Sequence, residues 1–270
     1  MEAVRRWRRL RAAATATRQR RHNAAASSSA PAHVVARSLA RCTMVTPILF
    51  LVYAVLHGWL LTHAPYLELL QRVDSRRQWY EAALVTLLLL GLVYDNLVLA
   101  LGSFVRKPSA WFERLQRVRF VMHGGVLPLL LAPLSLAVLE LFVSDSATAS
   151  SSSSLVVLLR SGIVLVALLI GAHGTLDNLR VRLEPKHEYG MLRYVPNPVL
   201  LNNILHAVLV TVLAVVVGIV HLRASGSYAL LGSASVMFFA ASLPHYYSFV
   251  GTNAAEVAFM YGVIEYLLSR

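Results

Sequence analysis

Residues 80–102 read YEAALVTLLLLGLVYDNLVLALG, a single apolar run broken near its end by Tyr94-Asp95-Asn96. A hydrocarbon layer about 30 Å thick takes roughly 20 apolar residues of helix to cross, and this run is that long. An ionised carboxylate inside such a helix costs about 2.5–3.5 kcal/mol on insertion scales, so Asp95 calls for a partner or a function.

Working outward, further apolar runs lie at 44–62, 120–142, 155–177, 198–221, 227–243 and 248–267. With 57% hydrophobic and 14% charged residues, the composition excludes an ordinary soluble domain, which carries about 25% charge. The expected fold is all-α, a polytopic membrane bundle of about seven transmembrane helices. Six is the alternative, because 227–243 is short and Pro244-His245-Tyr246-Tyr247 either turns tightly or breaks one bent hairpin.

The formal charge of +12 is concentrated at the start, where residues 1–42 hold ten Arg and one acid, Glu2. The expected division is this tail (1–42) and a transmembrane domain (43–270). Arg, Ala and Ser with almost no acid is the composition of an organelle transit peptide, and Val4, Trp7 and Leu10 would give it an amphipathic helix. A disordered basic arm on anionic headgroups is the other reading. Both favour an organellar membrane, plastid or mitochondrial, with the endoplasmic reticulum left open. Outside the tail no basic patch with interleaved aromatics remains, so no nucleic-acid partner is expected. A single cysteine, Cys42, leaves no intrachain disulfide and no thiolate cage.

Taking the N-terminal side as side A, nineteen Lys and Arg fall there and five on side B, so side A faces cytosol, matrix or stroma. The Ser-rich segment 144–154 should be a mobile side-B loop. Loops 103–119 and 180–197 on side A are basic and carry Trp111, Phe112, Tyr189 and Tyr194, a headgroup-level composition. Within the first, 109–119 reads as a short interfacial helix with Ser109 as N-cap and Glu113 one turn from Arg117.

Asp95-Asn96-Leu97 is echoed by Asp177-Asn178-Leu179, and His123 and His206 follow the two aspartates by 28 and 29 residues. The echo is either ancestry or chance. Depth is independent of it: at 1.5 Å per residue, Asp95, His123, His173, His206 and Glu256 all lie about 5–12 Å beneath side A, with Asp177 and Asn202 at its rim. They come from five spans and form one layer. His173 with Asp177, Asn202 with His206, and Arg119 with His123 are i,i+4 pairs, and Asn253 with Glu256 is i,i+3. Such pairs fix an imidazole's tautomer and orientation for acid–base work, or they only glue helices together. The expected catalytic groups are Asp95, His123, His206 and Glu256. Tyr94, Asn96, Arg119, His173, Asp177, Asn202 and Asn253 are the expected substrate-binding groups, with no metal site assigned and cofactors left unknown. His57, near Trp59, reads as a packing or rim residue, and Glu140 with Arg160 as a side-B salt bridge. Pro128 and Pro133 should kink their span beside His123.

No Lys lies within a span, which excludes a retinal Schiff base. H-E-x-x-H, G-x-S-x-G and P-loop motifs are absent, as are paired Asp-rich motifs. Tyr94-Asp95-Asn96-Leu97 with Arg119-Phe120 and His123, then Leu183-Glu184-Pro185, Tyr189-Gly190, Gly251, Asn253 and Glu256, resembles a group of multi-pass membrane proteins of cyanobacteria and plastid-bearing organisms. The resemblance covers about residues 80–260, and here Gly251-Thr252-Asn253-Ala254-Ala255-Glu256 departs from a tighter Gly-Asn pattern. It implies a multi-pass helical fold and a plastid location, and no particular activity.

Three functions fit the sequence. The first is a membrane enzyme acting on a lipid or isoprenoid-like substrate by cyclisation, isomerisation or hydrolysis. The second is a proton-coupled transporter or carrier, which would need a polar path to side B. The third is a haem or metal protein using His123 with His206, or His173 with Asp177. The expected partner is membrane lipid or a hydrophobic small molecule; oligomeric state is open.

Overall fold

A computed structural model describes residues 32–71, 76–144 and 153–269. The helix expected around Val4 and the Ser-rich loop over 145–152 lie outside the described residues. Residues 44–270 form one compact unit.

The chain order is α1 (Ala32–Leu60), α2 (Ala64–Gln71), α3 (Arg76–Leu101), α4 (Ala110–Val126), a 3-10 turn at Leu127–Leu130, α5 (Leu131–Ser144), α6 (Ser153–Arg180), strands β1 (Arg182–Glu188) and β2 (Met191–Asn197), α7 (Leu201–Ser225), α8 (Ala229–Ala241) and α9 (His245–Ser269). Among the described residues four helical stretches are long and apolar enough to cross a membrane: 78–101, 110–140, 154–180 and 201–225. A fifth crossing is available if Val45–Leu60 and Ala64–Gln71, bent by 40°, are one span. α8 is a shorter apolar helix, and α9 is long but more polar, carrying Ser248, Thr252, Asn253 and Glu256. The apolar helices fit a membrane-embedded bundle.

Three segments differ from the sequence reading, each for a physical reason. The interfacial helix expected at 109–119 is the first half of α4, which runs into the next span without a break; Ser109 precedes it but makes no side-chain cap. The α-helical pattern is interrupted instead by the 3-10 turn at Leu127–Leu130, where Pro128 lacks the amide hydrogen an α-helix needs. The basic loop 180–197 is an antiparallel β-hairpin, so the fold is not purely helical. Its two-residue turn, Tyr189-Gly190, has positive φ at both positions (56° and 77°), the geometry that matches strand twist. The first span ends near 62 as expected, at Leu60, but a second helix, α2, follows at a 40° bend where the sequence reading had only a loop, and His57 is wholly buried, a packing rather than a rim residue.

The hairpin docks on the side-A ends of the helices. Leu192 donates its amide to Gly102 O at 2.9 Å, and a Cβ at Gly102 would stand 2.2 Å from Leu192 O, so only glycine admits the strand. Leu183, Leu192 and Tyr194 pack on Val98, Phe112 and Val181, while Met191 joins Phe50, Tyr53, Leu99 and Ala100. α4 and α6 cross on glycine: a Cβ at Gly174 would lie 2.0 Å from Gly124 O, and one at Gly171 2.5 Å from Gly125 O. Small residues let helix backbones meet where lipid supplies no hydrophobic drive. Arg117 closes the C-terminal end of α6, donating to Leu179 O and Val181 O at 2.9 and 2.8 Å.

Candidate functional site

Asp95 enters from the last third of α3 and is almost wholly buried. Its Oδ1 lies 2.6 Å from Arg119 Nε and 3.9 Å from His123 Nδ1, both on α4 one turn apart. His123 Nε2 in turn lies 3.6 Å from Glu256 Oε1 on α9. A continuous chain of charge, Arg119–Asp95–His123–Glu256, therefore links three helices. Arg119 is held from its other side by Gln116 Oε1 at 2.8 Å and stacks on Phe120, with its carbon 4.5 Å from the ring centre. With His123 protonated the four groups sum to zero, and with it neutral they carry one negative charge. Burial makes that difference matter, since an uncompensated charge in low dielectric is expensive.

His123 and Glu256 also face a cavity of about 40 Å³ bounded by α3, α4, α7, α8 and α9. Its remaining wall is apolar apart from Thr211: Leu88, Leu92, Met122, Val210, Phe259 and Met260 are the main contributors. Thr211 spends its hydroxyl on Ala207 O at 2.8 Å. The space is large enough for a few small-molecule atoms or about three waters, by the usual measure of about 10–15 Å³ per water. The imidazole–carboxylate pair is thus the one polar feature presented to an apolar space.

The layer expected from depth divides into two groups. The first is the chain just described. The second sits at the α6–α7 crossing: His173 Nδ1 lies 3.4 Å from Asp177 Oδ2, and Asn202 Nδ2 donates to the same oxygen at 2.8 Å. His206 belongs here, within electrostatic range of His173 and Asp177, and its Nδ1 is buried without a partner. Helix pitch alone placed all of these at similar depth, but depth carries no information on azimuth around the bundle. Beside Asp177, Asn178 and Asn203 exchange amide hydrogen bonds at 3.1 and 3.0 Å.

Three expected substrate-binding residues are occupied locally. Tyr94 donates to Leu115 O at 2.9 Å, and the amides of Asn96 and Asn253 bond back to Leu92 O and Phe249 O, each at 2.8 Å. Asn96 Oδ1, Asn253 Oδ1 and Glu256 Oε2 are nonetheless buried acceptors with no hydrogen-bond partner.

Two further residues lie with the first group: His57, which the sequence placed as a packing or rim residue, and Gln116, which it did not single out. His57, fully buried, bonds Tyr53 O through Nδ1 at 2.8 Å, leaves Nε2 without a partner, and lies within electrostatic range of Glu256, Asp95 and His123. Gln116, also fully buried, positions Arg119; its place one turn before Arg119 on the same face was the available signal. Glu140 and Arg160 do pair, at 3.6 Å. Among the described residues no three His, Cys, Asp or Glu side chains converge as a metal site.

Fold and cluster together describe a helical protein of membrane-embedded type with a buried acid–base chain. No protein-family model matches the sequence, and no curated protein is similar to it.

Proposed function

We propose that the protein is a membrane-embedded acid–base enzyme acting on the reactive end of a lipid or isoprenoid-like substrate, by isomerisation or cyclisation. The observation that carries this reading is the Asp95–His123–Glu256 chain opening on an otherwise apolar cavity. Arg119 holds Asp95; the backbone carbonyl of Arg119 accepts from His123 Nδ1 at 3.4 Å and orients the ring, and Asp95 places its charge 3.9 Å from the same nitrogen. Protonated His123 gives its proton to one carbon of an alkene, and Glu256 takes a proton from a neighbouring carbon. One proton enters and one leaves, so the product has the substrate's atoms and no co-reactant is consumed. With the substrate's reactive end filling the cavity, its otherwise apolar wall leaves no room for water beside the carbocation, as acid–base chemistry on an alkene requires.

In this reading α1–α2, α3, α4–α5, α6, α7, α8 and α9 are seven crossings. The polar residues of α9 are tolerated because Asn253 is buried and Glu256 meets His123 rather than lipid. The basic tail would direct the chain to an organellar membrane.

Solvent isotope labelling tests the chemistry whatever the product. Full-length protein in nanodiscs is incubated in D2O with polyprenyl and lipid extracts, and solvent deuterium in alkyl and allylic positions is read by mass spectrometry. Deuterium enters with wild type and falls about 10²-fold or more in Glu256→Gln and His123→Gln, the scale of losing general acid or base help. Equal incorporation in wild type and both variants sinks the proposal.

A proton-coupled carrier is the second reading, and His57 favours it, since it extends the titratable chain to a fourth element. Solute flux in proteoliposomes that follows a pH gradient and fails in His57→Gln would put the carrier first.

A further inference from the structure

A second feature lies on the opposite face of α7 from the cavity. α6 and α7, with Leu131 and Ser135 of α5 beneath them, form an open groove of about 710 Å³. On α6 it is lined by Leu159, Gly162, Ile163, Val166 and Ile170, and the same helical stripe continues, three then four residues on, to His173 and Asp177. On α7 the stripe Val216, Val212 and Leu209 leads back to Asn202. The groove thus has an apolar length of about 18 Å from Leu158 to Ile170, close to the roughly 15 Å of one leaflet's hydrocarbon. At its side-A end stands the polar trio.

The trio's hydrogen bonding is incomplete. Asp177 Oδ2 accepts from Asn202, with His173 Nδ1 3.4 Å from the same oxygen, while Oδ1 and His173 Nε2 make no hydrogen bond among the described residues. The His173 side chain is 62% exposed and that of Asp177 29%. A carboxylate oxygen is an acceptor only, and an imidazole that donates through Nδ1 accepts through Nε2. Asp177 Oδ1 therefore accepts, as does His173 Nε2 in the neutral Nδ1–H tautomer, and they ask for a head that donates. No arginine contacts Asp177 among the described residues, so a phosphate head would meet a like charge.

We propose that this groove seats one apolar chain bearing a hydroxyl head, a long-chain alcohol or monoacylglyceride, with the hydroxyl donating to Asp177 Oδ1 or His173 Nε2. The site shares no lining residue with the His123–Glu256 cavity and stands whether or not that cavity is catalytic. A lipid is preferred to a second copy of this chain because the groove's apolar length matches one leaflet and ends at acceptors that a single donating head would satisfy.

The experiment uses full-length protein in nanodiscs and two photoreactive diazirine probes of equal length, one ending in a hydroxyl and one in a methyl group. The hydroxyl probe should label peptides covering 158–170 and 208–216, and do so about tenfold better than the methyl probe, the preference expected for one hydrogen bond to a charged group. Gly162→Leu fills the groove without internal clash, because a Cβ there meets no atom within 4 Å, and should abolish the labelling. Asp177→Asn should erase the preference while keeping the methyl probe's labelling. Equal labelling by both probes in wild type, label elsewhere, or labelling unchanged by Gly162→Leu overturns the proposal. So does inter-copy cross-linking through α6 that Gly162→Leu abolishes, which would assign the groove to a dimer.

Discussion

Replacing Asp95 with Asn tests the charge chain at its anchor. Arg119 and Asp95 expose only 12% and 4% of their side chains, and the 2.6 Å contact is Arg119's one carboxylate partner among the described ion pairs. Asn cannot neutralise a guanidinium, so Asp95→Asn leaves a buried cation whose remaining support is Gln116 and the Phe120 face. Removing one member of a buried pair costs about 3–5 kcal/mol, most of it the stranded charge rather than a lost contact. At about 2–4 °C per kcal/mol for a chain of this size, the melting temperature should fall by about 6–20 °C. Thermal unfolding in nanodiscs, followed by tryptophan fluorescence, measures it. The discriminating variant is the double substitution Asp95→Asn with Arg119→Gln, which removes the stranded cation and leaves an amide near Gln116; it should recover at least half the loss. Additive losses in the double variant, or a single variant that melts with wild type, would refute the reasoning. It follows that inactivity of Asp95→Asn says little about chemistry. Glu256→Gln, which leaves the Arg119–Asp95 pair intact, is the cleaner probe of catalysis.

Three further outcomes bear on the scaffold. Gly174→Ala should lower stability by about 1–3 kcal/mol or more, the usual cost of overpacking, because its Cβ would stand 2.0 Å from Gly124 O; thermal unfolding reports it, and an unchanged midpoint would mean that α4 and α6 do not cross there. Gly190→Ala places a side chain at φ 77° and should cost about 1–2 kcal/mol, seen as faster proteolysis within 188–192; wild-type cleavage rates would count against the hairpin turn. Arg117→Ala frees the carbonyls at the end of α6, so amide exchange over 178–181 should quicken while exchange in α9 stays as it was.

Much of the helical layout was legible because membrane helices carry their evidence in one dimension. An uninterrupted apolar run predicts itself: the spans at 80–102, 155–177 and 198–221 coincide closely with described helices, while 120–142 lies across α4, the 3-10 turn and α5, a helical stretch that begins ten residues earlier. What failed depended on azimuth or on long-range contact. The hairpin at 182–197 has the basic, aromatic content of a headgroup loop, and only docking on Gly102 and Phe112 gives its strands a buried face. His57 looked peripheral because its apolar run ends at 62; the bend into α2 has no signal in that run to announce it. The site was half legible: Asp95, Arg119, His123 and Glu256 do converge, from helix depth and spacing alone. His173, Asp177, Asn202 and His206 lie at the same depth on another side of α7, and no periodicity within single helices distinguishes the two.

The echo between the two Asp-Asn units acquires a geometric meaning from these contacts. Asp95 is paired 24 residues later by Arg119, and Asp177 25 residues later by Asn202; in both units the histidine follows that partner by four. Asn96 and Asn178 each bond back to the carbonyl four residues before them, at 2.8 and 2.7 Å. One helix–connection–helix arrangement thus occurs twice with one consequential substitution, arginine in the first and asparagine in the second. Arginine cancels the aspartate's charge and permits its burial. Asparagine supplies a hydrogen bond but no charge, so Asp177 must keep contact with water, with His173, or with a donating ligand. The greater exposure of Asp177 follows from that single difference. It also predicts the result of exchanging the partners. Asn202→Arg should neutralise Asp177, withdraw it from the groove's head, and abolish the hydroxyl probe's advantage while leaving deuterium incorporation at the His123–Glu256 cavity unchanged. If probe selectivity survives Asn202→Arg, the carboxylate is not what the groove presents to its ligand.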